Sequence, residues 1–512
     1  VIRNLDLYLK KDLRTLLADF SFSLNENQKV ALIGEEGNGK STLLKVIYDE
    51  SLVSDYIEIK GEITKKGEII AYLPQQIDDQ SRSLTTAEYF EKHVPPFTFD
   101  YGEFYNLLDQ MELNEDRISN DVLLSQLSGG EKIKFQLLCI MMQNPTILLL
   151  DEPTNDLDIK SVEWLEQFIN RLTIPIMFVS HDETLLENCA NTIIHFEQLI
   201  RKSRPQYTIA KMGYQDYVDQ RSRKISHQDQ VARKEMEEYN KKMEKYRHIY
   251  QRVEHEQNAI SRQDPAGARL LKKKMHSVKS MGKRFEREKE NMTERPSYEE
   301  SINVSFHEVS NIPRTKQVLN LQLDELKAGN KLLSKNIKLE VVGPKKICII
   351  GGNGCGKTTL LRLIYKHVLT SNLNPAYMPQ DYVEMMDPEV SPIDFISETG
   401  DKDEITTIRT YLGSMNFTKE EMFRPTKELS GGQKAKLYFS KMILNQANVL
   451  VLDEPTRNLS PLSGPEIRQS LKDFGGCIIA VSHDRKFIKE VCDEVYLLDD
   501  KGVRLHEQKM NK

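Results

Sequence analysis

The feature that most restricts this chain is a glycine-rich loop that occurs twice. The first copy reads Gly34-Glu-Glu-Gly37-Asn38-Gly39-Lys40-Ser41, and the second reads Gly351-Gly-Asn353-Gly354-Cys-Gly356-Lys357-Thr358. Both fit the spacing G-x4-G-K-[ST] of a phosphate-binding loop. The first follows a buried-strand pattern, Lys29-Val-Ala-Leu-Ile33, and leads into a helical one, Thr42-Leu-Leu-Lys-Val-Ile47. That context is what the motif needs. Glycines let backbone N–H groups close around a phosphate, and the helix N-terminus behind them favours its charge. Lys40 would reach the outer phosphates and Ser41 would hold Mg²⁺.

The residues downstream narrow the reading. Tyr72-Leu-Pro-Gln75 is a strand ending in glutamine, and Leu127-Ser128-Gly129-Gly130-Glu131 opens a helical stretch. The apolar strand Ile147 to Leu150 delivers Asp151 and Glu152, and Asn155-Asp-Leu-Asp158 follows. Met177-Phe-Val-Ser-His181 is a further buried strand that ends in histidine. The set then recurs as Gln380, Ser430-Gly431-Gly432, Asp453-Glu454 and His483. The two serines, the two aspartates and the two histidines are each 302 residues apart. A constant offset means a duplication. The loop lysines are 317 apart and the glutamines 305, so the first copy has 12 more residues between them, expected in Asp49 to Gly67.

In order and spacing, these motifs resemble an ATP-binding-cassette (ABC) nucleotide-binding domain, present twice. The implied fold is α/β, two cassettes each with a P-loop core and a helical subdomain. The resemblance implies ATP and Mg²⁺ as ligands and ATP hydrolysis as the activity. It gives ATP binding to Gly34, Gly37, Asn38, Gly39, Lys40, Ser41 and Thr42, and to Gly351, Asn353, Gly354, Gly356, Lys357, Thr358 and Thr359. It puts Mg²⁺ on Ser41, Gln75 and Asp151, and on Thr358, Gln380 and Asp453. Glu152 and Glu454 would activate the attacking water, with His181 and His483 holding the γ-phosphate. The signature residues of one cassette cap the ATP of the other, so Lys40 would share its site with Ser430, Gly431 and Gly432. Lys357 would share its site with Ser128, Gly129 and Gly130. Two departures stand out. Ser460 replaces the carboxylate of Asp158 in the second D-loop. The resemblance also implies an aromatic that stacks on adenine, for which Tyr8 is the candidate in the first copy, with no aromatic near Leu323 to Asn336 in the second.

Between the copies lies a charged segment with a heptad seam. Ala232, Met236, Tyr239, Met243, Tyr246, Tyr250 and Val253 alternate steps of four and three, extending a pattern begun at Val218 and Ile225 and continued at Ile260. Gln263 to Gly267 reads as a helix stop and turn. Leu271, Met275, Val278, Gly282, Phe285 and Met292 form a second seam. Two such helices fold back as an antiparallel hairpin, about 70 Å and about 40 Å long at the helical rise. The expected division is a first cassette over 1–200, a linker over 201–300 with its hairpin at about 214–295 and tip at about 250–272, and a second cassette over 301–512.

Charge divides along the same line. Residues 221–295 hold 21 Lys/Arg against 12 Asp/Glu, a net of +9, which leaves −15 for the rest of a chain whose formal charge is −6. A basic arm on an acidic body fits contact with a polyanion; a solvated coiled-coil face has the same composition. At the tip, Arg247, Tyr250, Arg252, Arg262, Arg269, Lys272, Lys273 and Lys274 are the candidates for RNA contact. For Tyr246 core packing is the expectation. The six cysteines are scattered, with no zinc spacing or disulfide framework, as in a reducing cytosol. No apolar run approaches a membrane span. No signal peptide is read, and a start on Val1 is expected to be a trimmed one.

Fused cassettes with a helical hairpin between them resemble the ABC-F family, and within it the antibiotic-resistance group of the Vga and Lsa type. The run Asp453-Glu-Pro-Thr-Arg-Asn-Leu-Ser-Pro-Leu-Ser463 carries the second likeness. Only 53 residues separate Gln75 from Ser128, and 50 separate Gln380 from Ser430, which leaves little room for the arm subdomain of housekeeping members. The last strand, Val495 to Leu498, comes close to the chain's end, so any C-terminal extension is expected to be minimal. The resemblance implies a cytoplasmic monomer with its cassettes paired internally and no membrane partner. The ATP state would bind the ribosomal exit site, near the peptidyl-transferase centre and peptidyl-tRNA, and displace drugs such as lincosamides, pleuromutilins or group A streptogramins. The alternatives are a general translation factor on stalled ribosomes, a transporter-associated ATPase, and a coiled-coil scaffold.

Overall fold

The computed structural model describes residues 1–94, 100–199, 204–259, 265–293, 312–415 and 417–506. They form two compact units, the pair of cassettes and the hairpin. Arg262, Ile260, Gln263 and Asp264 lie outside the described residues, as do both expected linker boundaries.

The core strands are continuous apolar runs, as strands covered on both faces must be. In the first cassette, a six-stranded sheet runs in the order Ile70–Leu73, Ile147–Asp151, Ile176–Val179, Lys29–Ile33, Thr192–Gln198 and Arg204–Ala210. In the second, the order is Pro375–Met378, Val449–Asp453, Cys477–Val481, Lys346–Ile350, Glu494–Asp499 and Gly502–Leu505. In each sheet the last strand is antiparallel and the others are parallel. The strand before each P-loop therefore neighbours the strand before each switch histidine, and the Asp-Glu strand comes next. Three motifs far apart in sequence meet at the carboxyl ends of adjacent strands, where ligands bind in open α/β sheets.

The helices behind the P-loops, Lys40–Tyr48 and Lys357–Leu369, bury Leu43, Leu44 and Val46, and Leu360, Leu361 and Ile364. Each begins at its lysine, which in the first cassette is two residues earlier than the Thr42 start read from sequence. A left-handed glycine at the N-cap makes that entry, with φ 87° at Gly39 and 102° at Gly356. A Cβ on Gly356 would lie 2.9 Å from Leu333.

The small antiparallel sheets differ. The first cassette has three strands, Thr15–Phe22, Ile2–Leu9 and Ile57–Ile63; the second has two, Gln317–Ala328 and Lys331–Val342. The stretch Asp49 to Gly67, where the net excess of 12 residues is expected, holds the extra strand Ile57–Ile63 and the short helical turn Glu50–Leu52.

The hairpin consists of Tyr214–Ala259 and Pro265–Glu290. Val253, Met275 and Val278 are buried, with Tyr246 and Tyr250 packed against them. Tyr246 meets Phe285 edge to face at 6.1 Å, and Gly282 leaves room for it, since a Cβ there would lie 2.6 Å from the Tyr246 hydroxyl. Two expectations change. The turn does not extend through Gly267, because the second helix resumes at Pro265, where a fixed φ suits a first helical position. Met236 is exposed, so the first seam is interrupted there. Among the described residues no helix is long and apolar enough to cross a membrane.

Candidate nucleotide-binding sites

In the first site, Lys40 is buried, and its ammonium donates to the carbonyls of Gly34 at 2.7 Å and Glu35 at 2.9 Å. The Ser41 hydroxyl donates to Asp151 at 2.7 Å, and the Tyr72 hydroxyl donates to its other oxygen at 3.0 Å. Burial pushes the Asp151 carboxyl upward, against those two bonds. Glu152 takes a left-handed φ of 48°, with its backbone N–H on Val179. Its carboxylate accepts from the His181 backbone N–H at 3.2 Å and lies 3.0 Å from the His181 ring. Burial raises Glu152, but the His181 imidazolium and N–H outweigh it and hold the carboxyl below its ordinary value. Burial likewise lowers His181, and Glu152 outweighs it in raising that ring. The other ring nitrogen bonds the carbonyl of Leu459, in the opposite cassette, at 2.7 Å.

The second site has the same backbone and different side-chain contacts. Lys357 donates to Gly351 at 2.9 Å and Gly352 at 3.0 Å. Glu454 has a φ of 52°, and its carboxylate accepts from the His483 backbone N–H at 3.2 Å. The ring of His483, however, stands 3.8 Å from that carboxylate, and neither ring nitrogen has a hydrogen-bond partner. Burial pushes Glu454 up to about 8. Burial and the Lys357 charge push His483 down to about 4. Both carboxylate oxygens of Asp453 are buried without a partner. A cavity of about 660 Å³ joins Lys357, Thr358, Gln380, Glu454 and His483 to Gly129 of the opposite cassette.

The structure brings each P-loop against the signature of the other cassette. Ser128 and Ser430 cap their signature helices with reciprocal bonds to Glu131 and Gln433. A Cβ on Gly129 would lie 2.3 Å from the Asp156 carbonyl, and that carbonyl also accepts from the Asn353 amide. At the other site Glu36 occupies the position of Asn353. Its carboxylate accepts from the Gly432 N–H at 3.1 Å, while Glu35 accepts from the Ser463 hydroxyl at 3.2 Å. A Cβ on Gly431 would come within 2.8 Å of Glu36.

A magnesium ion fits this donor set. Mg²⁺ takes one or two carboxylates and draws its remaining ligands from water and phosphates; the two orphaned oxygens of Asp453 and the Ser41–Asp151 pair suit that use. Gln380 lines the second cavity. Gln75 stands exposed at the bend after Leu73, and Tyr72 is the residue that reaches Asp151. Tyr72, Glu35, Glu36 and Leu459 were missed by the motif reading. The P-loop copies differ openly at Glu35-Glu36 against Gly352-Asn353, a visible signal; a backbone carbonyl 278 residues from His181 gives none. Tyr8 has Lys60 5.0 Å from its ring. In the second cassette, Ala328 and Leu333 line the cavity.

On the hairpin, Arg247, Arg252, Arg269, Lys272, Lys273 and Lys274 are exposed. Tyr250 is half-buried in the seam and acts there as a packing residue.

The ABC transporter family profile matches residues 17–155 and 334–457. ABC transporter F family member 5 of Arabidopsis thaliana is 27% identical over 95% of this chain and 73% of its own length. The probable ATP-binding protein YheS of Escherichia coli K12 is 26% identical over 97% of this chain and 78% of its own. Among solved structures, the archaeal ribosome recycling factor aABCE1 in complex with ribosomal stalk protein aP1 aligns with a TM-score of 0.59 at 16% identity. That alignment covers 98% of this chain and 89% of that one, a likeness of fold.

Proposed function

We propose, for a chain that belongs to the ABC transporter family and within it to the ABC-F type, that it is a ribosome-binding ATPase that protects the peptidyl-transferase centre from antibiotics. The observation that carries the reading is the joint presence of two ATP-binding domains with signature facing P-loop and a basic hairpin with exposed Arg and Lys near its turn. The solved relatives include a structure described as ribosome-bound archaeal Pelota and ABCE1, which supports a ribosomal partner.

In this reading the cytoplasmic chain works as a monomer with its cassettes paired. Lys40 and Lys357 bind the outer phosphates, and Ser128–Gly130 and Ser430–Gly432 close on them from the opposite side. Closure depends on ATP bridging the cassettes, so hydrolysis releases them. Ser41, Gln75 and Asp151, with Thr358, Gln380 and Asp453, would hold Mg²⁺, whose charge would offset that of the phosphates. Glu152 and Glu454 orient the attacking water, and His181 and His483 hold the geometry. The exposed cations of the tip pair with large-subunit RNA and peptidyl-tRNA near the exit site.

The test is in vitro translation with lincosamide, pleuromutilin and streptogramin A drugs, comparing wild type, Glu152→Gln/Glu454→Gln, and a variant with the 250–272 tip shortened. Wild type should rescue translation from one drug class. The double variant should remain on ribosomes, and the shortened one should hydrolyse ATP without rescue. Ribosome binding with no drug countered would favour the general translation factor. Rescue by the shortened arm would overturn the role of the tip.

A further inference from the structure

The repeat offset of 302 residues gives every position in one cassette a partner position in the other. Glu166 corresponds to Arg468, and Glu183 to Arg485. These four residues bridge the cassettes in two crossed pairs. Arg468 donates to Glu183 through its two terminal guanidinium nitrogens, at 2.5 and 3.1 Å, where both side chains are buried. Arg485 pairs with Glu166. Each position therefore meets the other position's counterpart across a pseudo-twofold axis. The supporting bonds repeat as well: Asn188 donates to Glu166 at 3.0 Å, and Arg468 donates at 2.8 Å to Glu490, the counterpart of Asn188.

Geometry is thus conserved between the halves while charge is inverted. A twofold interface joins a surface to its own copy. Two first cassettes would bring Glu166 against Glu183 twice, and two second cassettes would do the same with Arg468 and Arg485. Such like-charge contacts are strongly unfavourable once water is excluded. Shape departs from symmetry too. Gly464 stands where the first cassette has Val162, and a Cβ on Gly464 would lie 2.2 Å from the Glu183 carboxylate.

We infer that this face is a pseudo-twofold, charge-complementary docking surface that accepts the oppositely charged half of the same chain and rejects a second copy of either half. Its partner is the basic or acidic complement on the other cassette. Glu183 and Arg485 each follow a switch histidine by two residues, so the same contact links both catalytic strands to the pairing. The inference deepens the reading of internally paired cassettes and does not depend on the ribosome or a drug.

The test uses two full-length charge-reversed chains, Arg468→Glu/Arg485→Glu and Glu166→Arg/Glu183→Arg. Each alone should lose more than about tenfold in ATP turnover. Mixed in equal amounts, they should regain turnover and form a species of two chains by light scattering. The inference is overturned if each variant alone turns over ATP like wild type, or if folded variants stay apart on mixing. Mass alone decides this if the wild type proves to be a poor ATPase. Should either variant fail to fold, the single-chain exchange decides. Glu166→Arg and Arg485→Glu should each lower the melting temperature, and the double variant should recover most of the loss. A double variant that melts no higher than the worse single one overturns the inference.

Discussion

The two nucleotide sites carry the same motif residues in different electrostatic states. In the first, His181 lies 3.0 Å from Glu152 and is anchored to the Leu459 carbonyl. In the second, His483 is 3.8 Å from Glu454 and its ring is unanchored. The first pair is shifted toward the ionised forms, with Glu152 lowered and His181 raised, and the second toward a neutral acid beside a neutral imidazole, with values near 8 and 4. Both pairs are buried, so burial alone cannot separate them. An anchored imidazole close to its carboxylate keeps the proton, and the same two groups drawn slightly apart in a dry site each neutralise. A shared motif therefore specifies which groups meet, while their neighbours decide which group carries the proton.

The largest test of this difference removes one glutamate at a time. Glu152→Gln and Glu454→Gln should each slow hydrolysis at their own site about 10²–10⁴-fold. What remains should differ in pH dependence. With Glu152→Gln, kcat/KM at the second site should rise about tenfold per pH unit and level off near pH 8, because Glu454 is a base only once ionised. With Glu454→Gln, no rise toward pH 8 is expected, since Glu152 is held below the ordinary carboxylate value. Superimposable pH–rate profiles would break the comparison.

A smaller effect is expected at the P-loop. Glu36→Asn in a Lys357→Ala background should tighten ATP binding at the first site on the order of tenfold, more at low ionic strength, by removing a negative charge from the phosphate cradle. Equilibrium titration with labelled ATP measures it, and unchanged affinity would mean that Glu36 swings clear of the phosphates. The smallest contrast lies in the D-loops. Asp158 caps the helix Ile159–Arg171 through the Ser161 N–H at 2.9 Å, whereas the buried Ser460 hydroxyl has no partner. Asp158→Ala should cost about 1 kcal/mol of stability, and Ser460→Ala should cost less. Thermal melts that rank the two the other way would remove this asymmetry.

Most of the scaffold was legible in the sequence because it is written in local patterns. The apolar strands, the P-loop glycines and the heptad seam are periodic or contiguous signals, and each element formed close to its expected position. The departures are equally physical. Pro265 reads as a stop from one side and as a helix start from the other. Tyr72 looks like an ordinary strand residue until its hydroxyl is found on Asp151. The Leu459 carbonyl has no side chain to announce it. The proton positions follow from distances of a fraction of an ångström, which no spacing rule encodes.

The pairing of the hairpin arms has a mechanical consequence. The second helix is 26 residues long against 46 in the first. Its cross-contacts run from Lys274 on Glu256 to Thr293 on Glu235. Over that span, Glu235 to Glu256 of the first helix, the hairpin is a doubled beam whose two members share the buried seam of Val253, Met275 and Val278. Two helices locked side by side resist bending more than one does, because each must stretch or compress against the other. A push at one end of the paired span would therefore reach the other end as displacement, as along a lever, and would not be spent in local bending.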